Sequence, residues 1–270
     1  MRVLSLPASY YQQFNADYQL SVPGEGYGGW KTAALDLAWD QTAVVCMHAW
    51  NIVPYDQDPT GYHECEYLPR ADAISKNILP GLLSTVRQSG FKLLHVVGRS
   101  GYYEELPGYQ RAVALAGPDH ATLLRVEAAP ELQKLQRFRY ENVWPGQPNI
   151  ARYEAGFGKT DFHPTARPIG DEGVAANGHQ LAALCREAGV NHLIYTGFAI
   201  GACLLSSPGG MLDMQRRGAL CSVLREATTA VENKETARQE LVKQMELWRV
   251  ALNFGFVFSL NDFTTALQRR

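Results

Sequence analysis

The pattern that most restricts this chain is the alternation of short, mostly apolar runs with segments of helical periodicity. Residues 42–47 read TAVVCM and residues 92–97 read KLLHVV, and between them Ile74, Ile78, Leu82, Leu83 and Val86 recur at helical spacing until Gly90. A strand that is apolar at almost every residue is buried on both faces, as happens in a parallel sheet covered by helices on each side. The unit is βαβ, and it repeats. A third strand is expected to end near Ile150 and Ala151, and a helix over about 174–188 buries Leu181, Leu184 and Cys185 before Gly189. A strand over 192–196, a helix over 211–217, a strand over 219–224, a polar helix over 235–252 and a strand over 255–259 follow. Six strands predict an α/β fold: a three-layer αβα, doubly wound, mostly parallel Rossmann-type sheet, with ligands bound beyond the carboxyl ends of the strands.

Two regions fall outside this scheme. Residues 1–41 carry GEGYGGW and read as an irregular arm packed on the domain (42–270) or on a neighbouring subunit. An insertion at about 100–147, with an amphipathic piece over 129–139, is long for a βα connection. A lid and a surface excursion are both open readings of it. At 46% hydrophobic content, 270 residues suffice for one large core, and no apolar run approaches the length of a membrane span. The first residues, MRVLSLPASYYQQF, lack the apolar core of a secretion signal. Five cysteines without regular spacing make no disulfide framework, so a reducing, cytoplasmic location is expected. A net charge of -2 gives no electrostatic basis for nucleic acid or acidic membranes, which leaves a small molecule as the expected partner.

The segment 191–203, NHLIYTGFAIGAC, runs an apolar strand into a glycine-rich turn and sets Cys203 at the start of a helix. The positive end of a helix dipole favours a thiolate there. The next residues, SSPGGM over 206–211, break that helix, because proline and paired glycines do not continue one. Exposed N–H groups at such a break can hold an anion, and a break there can also widen a pocket or adjust packing between subunits. Trp50, Tyr55, Tyr62, Tyr67, Tyr102 and Tyr103 cluster after the first two strands, where a pocket of this fold opens. Of these, Trp50 and Tyr102 are the candidate substrate contacts.

With these elements in this order, the chain resembles the isochorismatase-like superfamily of cysteine hydrolases over roughly residues 40–265. The resemblance rests on GFAIGAC at 197–203, FGKTDF at 157–162, REAGVNHLIYTG before the turn and RRGALCSVLREATTAVE after it. It implies an aspartate, lysine and cysteine triad, with Cys203 attacking a carbonyl or imine carbon and the carboxylate taking the thiol proton. It also implies an oxyanion hole from the N–H groups of Ala199 and Cys203, a cis peptide between Phe198 and Ala199, and Phe157 near the substrate. No cofactor is implied, and a homo-oligomer is.

Two positions depart from that pattern. Cys46 stands where the aspartate belongs, and Ala151 followed by Arg152 where the lysine belongs. Arginine does not exchange protons at neutral pH but can clamp an anion. His48 lies on the same side of its strand end as Cys46, which makes it the candidate base for Cys203. Three functions follow: a cysteine hydrolase of an amide or ureide, a binding protein that has lost turnover, and a redox pair of Cys46 with Cys203. No metal is expected: the resemblance to the family's nicotinamidases implies an aspartate and histidine site after the second strand, which GRSGYY at 98–103 lacks, and His63, Glu64, Cys65 and Glu66 match no zinc spacing.

Overall fold

The computed structural model describes residues 2–51, 65–98, 101–118, 126–127, 129–157 and 160–269. The chain opens with β1 (Val3–Gln12) and β2 (Gly29–Ala38), an antiparallel hairpin, followed by β3 (Thr42–Met47). Helices α1 (Leu68–Asn77) and α2 (Leu79–Ser89) lead to β4 (Lys92–Val96), with Gly90 as a left-handed cap on α2. Then come α3 (Pro107–Ala116), α4 (Pro130–Asn142), α5 (Ile150–Phe157), β5 (Gly173–Ala175) and α6 (Gly178–Ala188). The chain ends with β6 (His192–Phe198), α7 (Met211–Arg216), β7 (Leu220–Thr229), α8 (Leu241–Asn253), β8 (Val257–Phe258) and α9 (Leu260–Gln268).

All the described strands join one sheet in the order β2-β1-β8-β7-β6-β3-β4-β5, parallel from β8 to β5 and antiparallel at the hairpin. Alternation along β3 explains its apolar run. Val44 and Cys46 face a core shared with α1, α2 and α9, whereas Ala43, Val45 and Met47 face a core shared with α3, α6, α7 and α8. Those two helical layers enclose the sheet, which is the predicted three-layer α/β architecture. From β3 the chain moves outward to β4 and β5, then returns to lay β6 on the other side of β3. The carboxyl ends of β3 and β6 therefore flank the switch point of the sheet, where ligands of this fold bind.

The sheet has eight strands, not six. The N-terminal segment is a paired hairpin rather than an irregular arm. Pro7 interrupts the strand signal of β1 but is accommodated opposite Ala34, because β8 pairs with β1 only at Ser9. The strand expected near Ile150 and Ala151 is instead the start of α5. The true third parallel strand is β5, whose three residues are too short to show a period, and α6 begins after it at Gly178. Within the insertion, α3 packs on α6 and β5 and so belongs to a helical layer. By contrast, α4 buries no side chain.

Candidate functional site

Gly197 sets the exit of β6. It adopts φ +110°, and a Cβ there would lie 1.9 Å from the Met47 carbonyl oxygen of β3, so only glycine lets the two strand ends approach this closely. The Phe198–Ala199 peptide is cis, as the resemblance implies, and Ala199 is extended at φ -102°, ψ 149°. Next comes a π turn over Ile200–Leu204, in which the Leu204 N–H donates to the Ala199 carbonyl at 3.1 Å. Cys203 sits in this turn, partly exposed and packed against the core that contains Met47, Tyr195 and Met211.

Cys203 therefore lies in a short turn and not at the head of a long helix, so the macrodipole expected to act on it is small. Helical geometry stops at Ser206, and α7 begins only at Met211. The break is packed inward. The Gly209 N–H donates to Asp213 Oδ2 at 3.0 Å, the Gly210 N–H to the Ser207 carbonyl at 2.7 Å, and the Tyr195 hydroxyl to the Gly209 carbonyl at 2.8 Å. Those two N–H groups are thus already occupied and do not form an anion site.

A second group of side chains gathers at the ends of β3 and β4. Cys46, His48, Trp50 and Tyr102 line one small cavity together with His95, Val97, Phe162 and Ala166. His48 has φ +52°, rarely adopted by residues other than glycine, and its ring stacks on Trp50 with centroids 4.5 Å apart. It fits against Gly98, where a Cβ would come within 3.0 Å of His48 Nε2. Trp50 Nε1–H donates to the Tyr102 hydroxyl at 2.9 Å, and Tyr102 meets Phe162 edge to face. Burial pushes the Tyr102 hydroxyl up to about 12 against the opposing hydrogen bonds from Trp50 and the Gly98 N–H. The segment Asp161–His163 is laced to Ala49–Asn51 by backbone hydrogen bonds of 2.8 Å, which puts part of the FGKTDF motif against the exit of β3.

Cys46 is buried, and burial pushes its thiol up to about 12, opposed by Arg87 and reinforced by Glu172. A thiol so held is neutral and is no substitute for a carboxylate base. It packs into the core on the α1, α2 and α9 side, whereas Cys203 packs against the core on the other face, and both are free thiols. Among the described residues, none hydrogen-bonds to the Cys203 sulfur. Arg152 is partly exposed on α5, whose main neighbour is the turn before it, and makes no hydrogen bond or ion pair among the described residues.

The side chain of Phe157, and Tyr55, Tyr62, His63 and Glu64, lie outside the described residues. Glu66 pairs with Arg70 at 2.7 Å. Among the described residues, no cluster of three or more histidine, cysteine, aspartate or glutamate side chains is arranged to hold a metal ion. No described helix is long and apolar enough to cross a membrane. His95, which lines the cavity, has one sequence signal, a histidine inside the apolar run LLHVV.

The fold is similar to that of a cysteine hydrolase from Pseudomonas syringae pv. phaseolicola 1448A, with a TM-score of 0.51 and 13% identity, over 86% of this chain and 94% of that one. An isochorismatase from Pseudomonas putida KT2440 gives a TM-score of 0.48 at 16% identity, over 83% of this chain and 91% of that one. An isochorismatase family protein from Burkholderia thailandensis gives 0.47 at 15% identity, over 85% of this chain and 96% of that one. No protein-family model and no curated protein matches the sequence.

Proposed function

We propose that this chain hydrolyses a carbon–nitrogen bond of a small molecule, an amide or a ureide, with Cys203 as nucleophile. The observation that supports the reading most is the turn itself: an extended Ala199 leads into a π turn that leaves Cys203 partly open at the carboxyl end of β6, beside the switch point. The fold shared with the Pseudomonas syringae cysteine hydrolase adds to it. In the proposed reaction the Cys203 sulfur attacks the carbonyl carbon, and its proton passes to His48, one residue beyond the register partner of Gly197. The Ala199 and Cys203 amides donate to the oxygen that gains charge. The nitrogen departs with the proton from His48, and water then releases the acyl group from sulfur. Arg152, Trp50, Tyr102 and Phe157 are the proposed substrate contacts.

A second reading, a ligand-binding protein without turnover, is favoured by one observation. Cys46, at the position of the expected carboxylate, is a neutral buried thiol with a pKa of about 12. Iodoacetamide labelling of Cys203 against pH separates the two. The hydrolase reading expects labelling already at about pH 6 to 7, lost in His48→Ala, together with ammonia release from a panel of amides and N-carbamoyl compounds that Cys203→Ser abolishes. Labelling that rises only near the ordinary thiol pKa of about 8.5, with no ammonia from any compound, leaves the binding reading alone standing.

A further inference from the structure

The insertion carries a helix that its own chain leaves uncovered. Pro130 opens α4 in its first turn, and the residues that follow, ELQKLQRFRYEN, are mostly good helix formers. A helix of 13 residues is nevertheless marginal in water without tertiary packing, and none of the side chains of α4 is buried. Its links to the rest of the chain run through its carboxyl end: the Tyr140 hydroxyl donates to Glu154 Oε1 at 3.1 Å, and Trp144, just beyond the helix, meets Tyr153 edge to face.

The apolar residues of α4 share one face. At about 3.6 residues per turn, Leu132 and Phe138 lie roughly 60° to either side of Leu135. Leu132 is 41% exposed, Leu135 65% and Phe138 62%. Glu131 and Arg139 border the same stripe, about 40° to either side of Leu135. Neither of these two side chains makes a hydrogen bond or ion pair among the described residues. The opposite face carries Gln133, Arg137, Tyr140 and Glu141, with Arg137 paired to Glu141 at 2.8 Å.

That stripe is complementary to itself. Leu135 is its centre, with Leu132 three positions before it and Phe138 three after, and with Glu131 four before and Arg139 four after. Two copies of α4 laid antiparallel about a two-fold axis at Leu135 set that leucine on itself, Leu132 level with Phe138 of the second copy, and Glu131 level with Arg139 of the second copy. The axis repeats each of those contacts, whereas a parallel pair would set Glu131 on Glu131 and Arg139 on Arg139. We propose that α4 is a self-association surface whose occupant is α4 of a second copy of this chain, antiparallel and centred on Leu135. The inference is independent of the chemistry at Cys203. Two short helices bury less than the roughly 800 Å² per partner of a standard interface, so the assembly is a reversible, concentration-dependent dimer.

Sedimentation velocity of the full chain over a concentration series reads the association. The wild type should pass from monomer to dimer as concentration rises, and Leu135→Glu, which sets two carboxylates against each other on the axis, should weaken association at least about tenfold. Glu131→Arg and Arg139→Glu should each weaken it about fivefold, since each sets like charges level twice, and the double variant, which exchanges both partners, should return close to the wild type. Because no side chain of α4 is buried in its own chain, these substitutions leave the thermal midpoint unchanged, which separates loss of association from loss of fold. Leu135→Cys should form a disulfide between copies on mild oxidation faster than Arg137→Cys on the opposite face. The proposal is overturned by a chain that is monomeric at every concentration, by a dimer that Leu135→Glu leaves intact, by a double charge variant that associates no better than either single one, or by equal cross-linking of the two cysteine variants.

Discussion

His192 shows how burial of one side chain becomes a property of the protein. Its ring is shut in beside Ser222, with Nε2 2.8 Å from Oγ, and burial holds its pKa down at about 4. That value lies below the roughly 6.5 of an unfolded histidine, so the folded state favours the neutral ring. The associated stability is complete above about pH 6.5 and is lost as pH falls towards 4, at a cost of about 3 kcal/mol at 1.36 kcal/mol per unit. His95 and His163, also lowered by burial, act in the same direction. Glu172 acts lower: burial works to raise it, but hydrogen bonds from Arg87, His95 and the Ile169 N–H hold it at about 2. Its contribution is present above the unfolded carboxylate pKa of about 4.3 and disappears as pH falls through 2. Urea midpoints should therefore drop in two stages on acidification. His192→Asn should flatten part of the first and Glu172→Gln the second. A wild-type midpoint that stays constant between pH 7 and 5 contradicts this account.

At the scale of single elements, β6 and the turn it delivers depend on Gly197. Alanine there must both hold φ +110° and fit a Cβ 1.9 Å from the Met47 oxygen, so β6 has to move away from β3. Gly197→Ala is expected to cost more than about 3 kcal/mol and to remove any selective labelling of Cys203. A variant with unchanged thermal stability and labelling shows that the close approach does not matter. The same element illustrates what a sequence displays. Burial of both faces leaves β3, β4 and β6 rich in apolar residues, so the runs are visible without knowing their neighbours. The Cys203 turn is equally visible because its parts are adjacent in the chain. β5 is too brief to carry a pattern, and Pro7 masks β1 although the pairing there tolerates it. The contact of His95 with Glu172 spans 77 positions and is created by the order of strands, which no local pattern records.

For the whole molecule, the N-terminal hairpin decides where the core ends. Leu4, Leu6 and Ala8 of β1 point into the same core as Leu224, Phe258, Phe263 and Leu267, while Val3 on the opposite parity is 46% exposed. The hairpin of β1 and β2 therefore supplies one wall of the hydrophobic interior and extends the sheet past β8. Leu6→Ala is therefore expected to lose about 2 to 4 kcal/mol, as deletion of a fully buried leucine side chain does. Val3→Ala, one pleat out of phase, stays within about 0.5 kcal/mol. Removing the hairpin altogether exposes the apolar flank of β8 and α9, and the shortened chain is expected to lose cooperative unfolding and to aggregate. Urea denaturation of the two point variants and the truncation reads all three effects. Equal losses at Leu6 and Val3 contradict the register of β1. A truncated chain that unfolds as sharply and as late as the full one shows that the hairpin lies outside the cooperative unit.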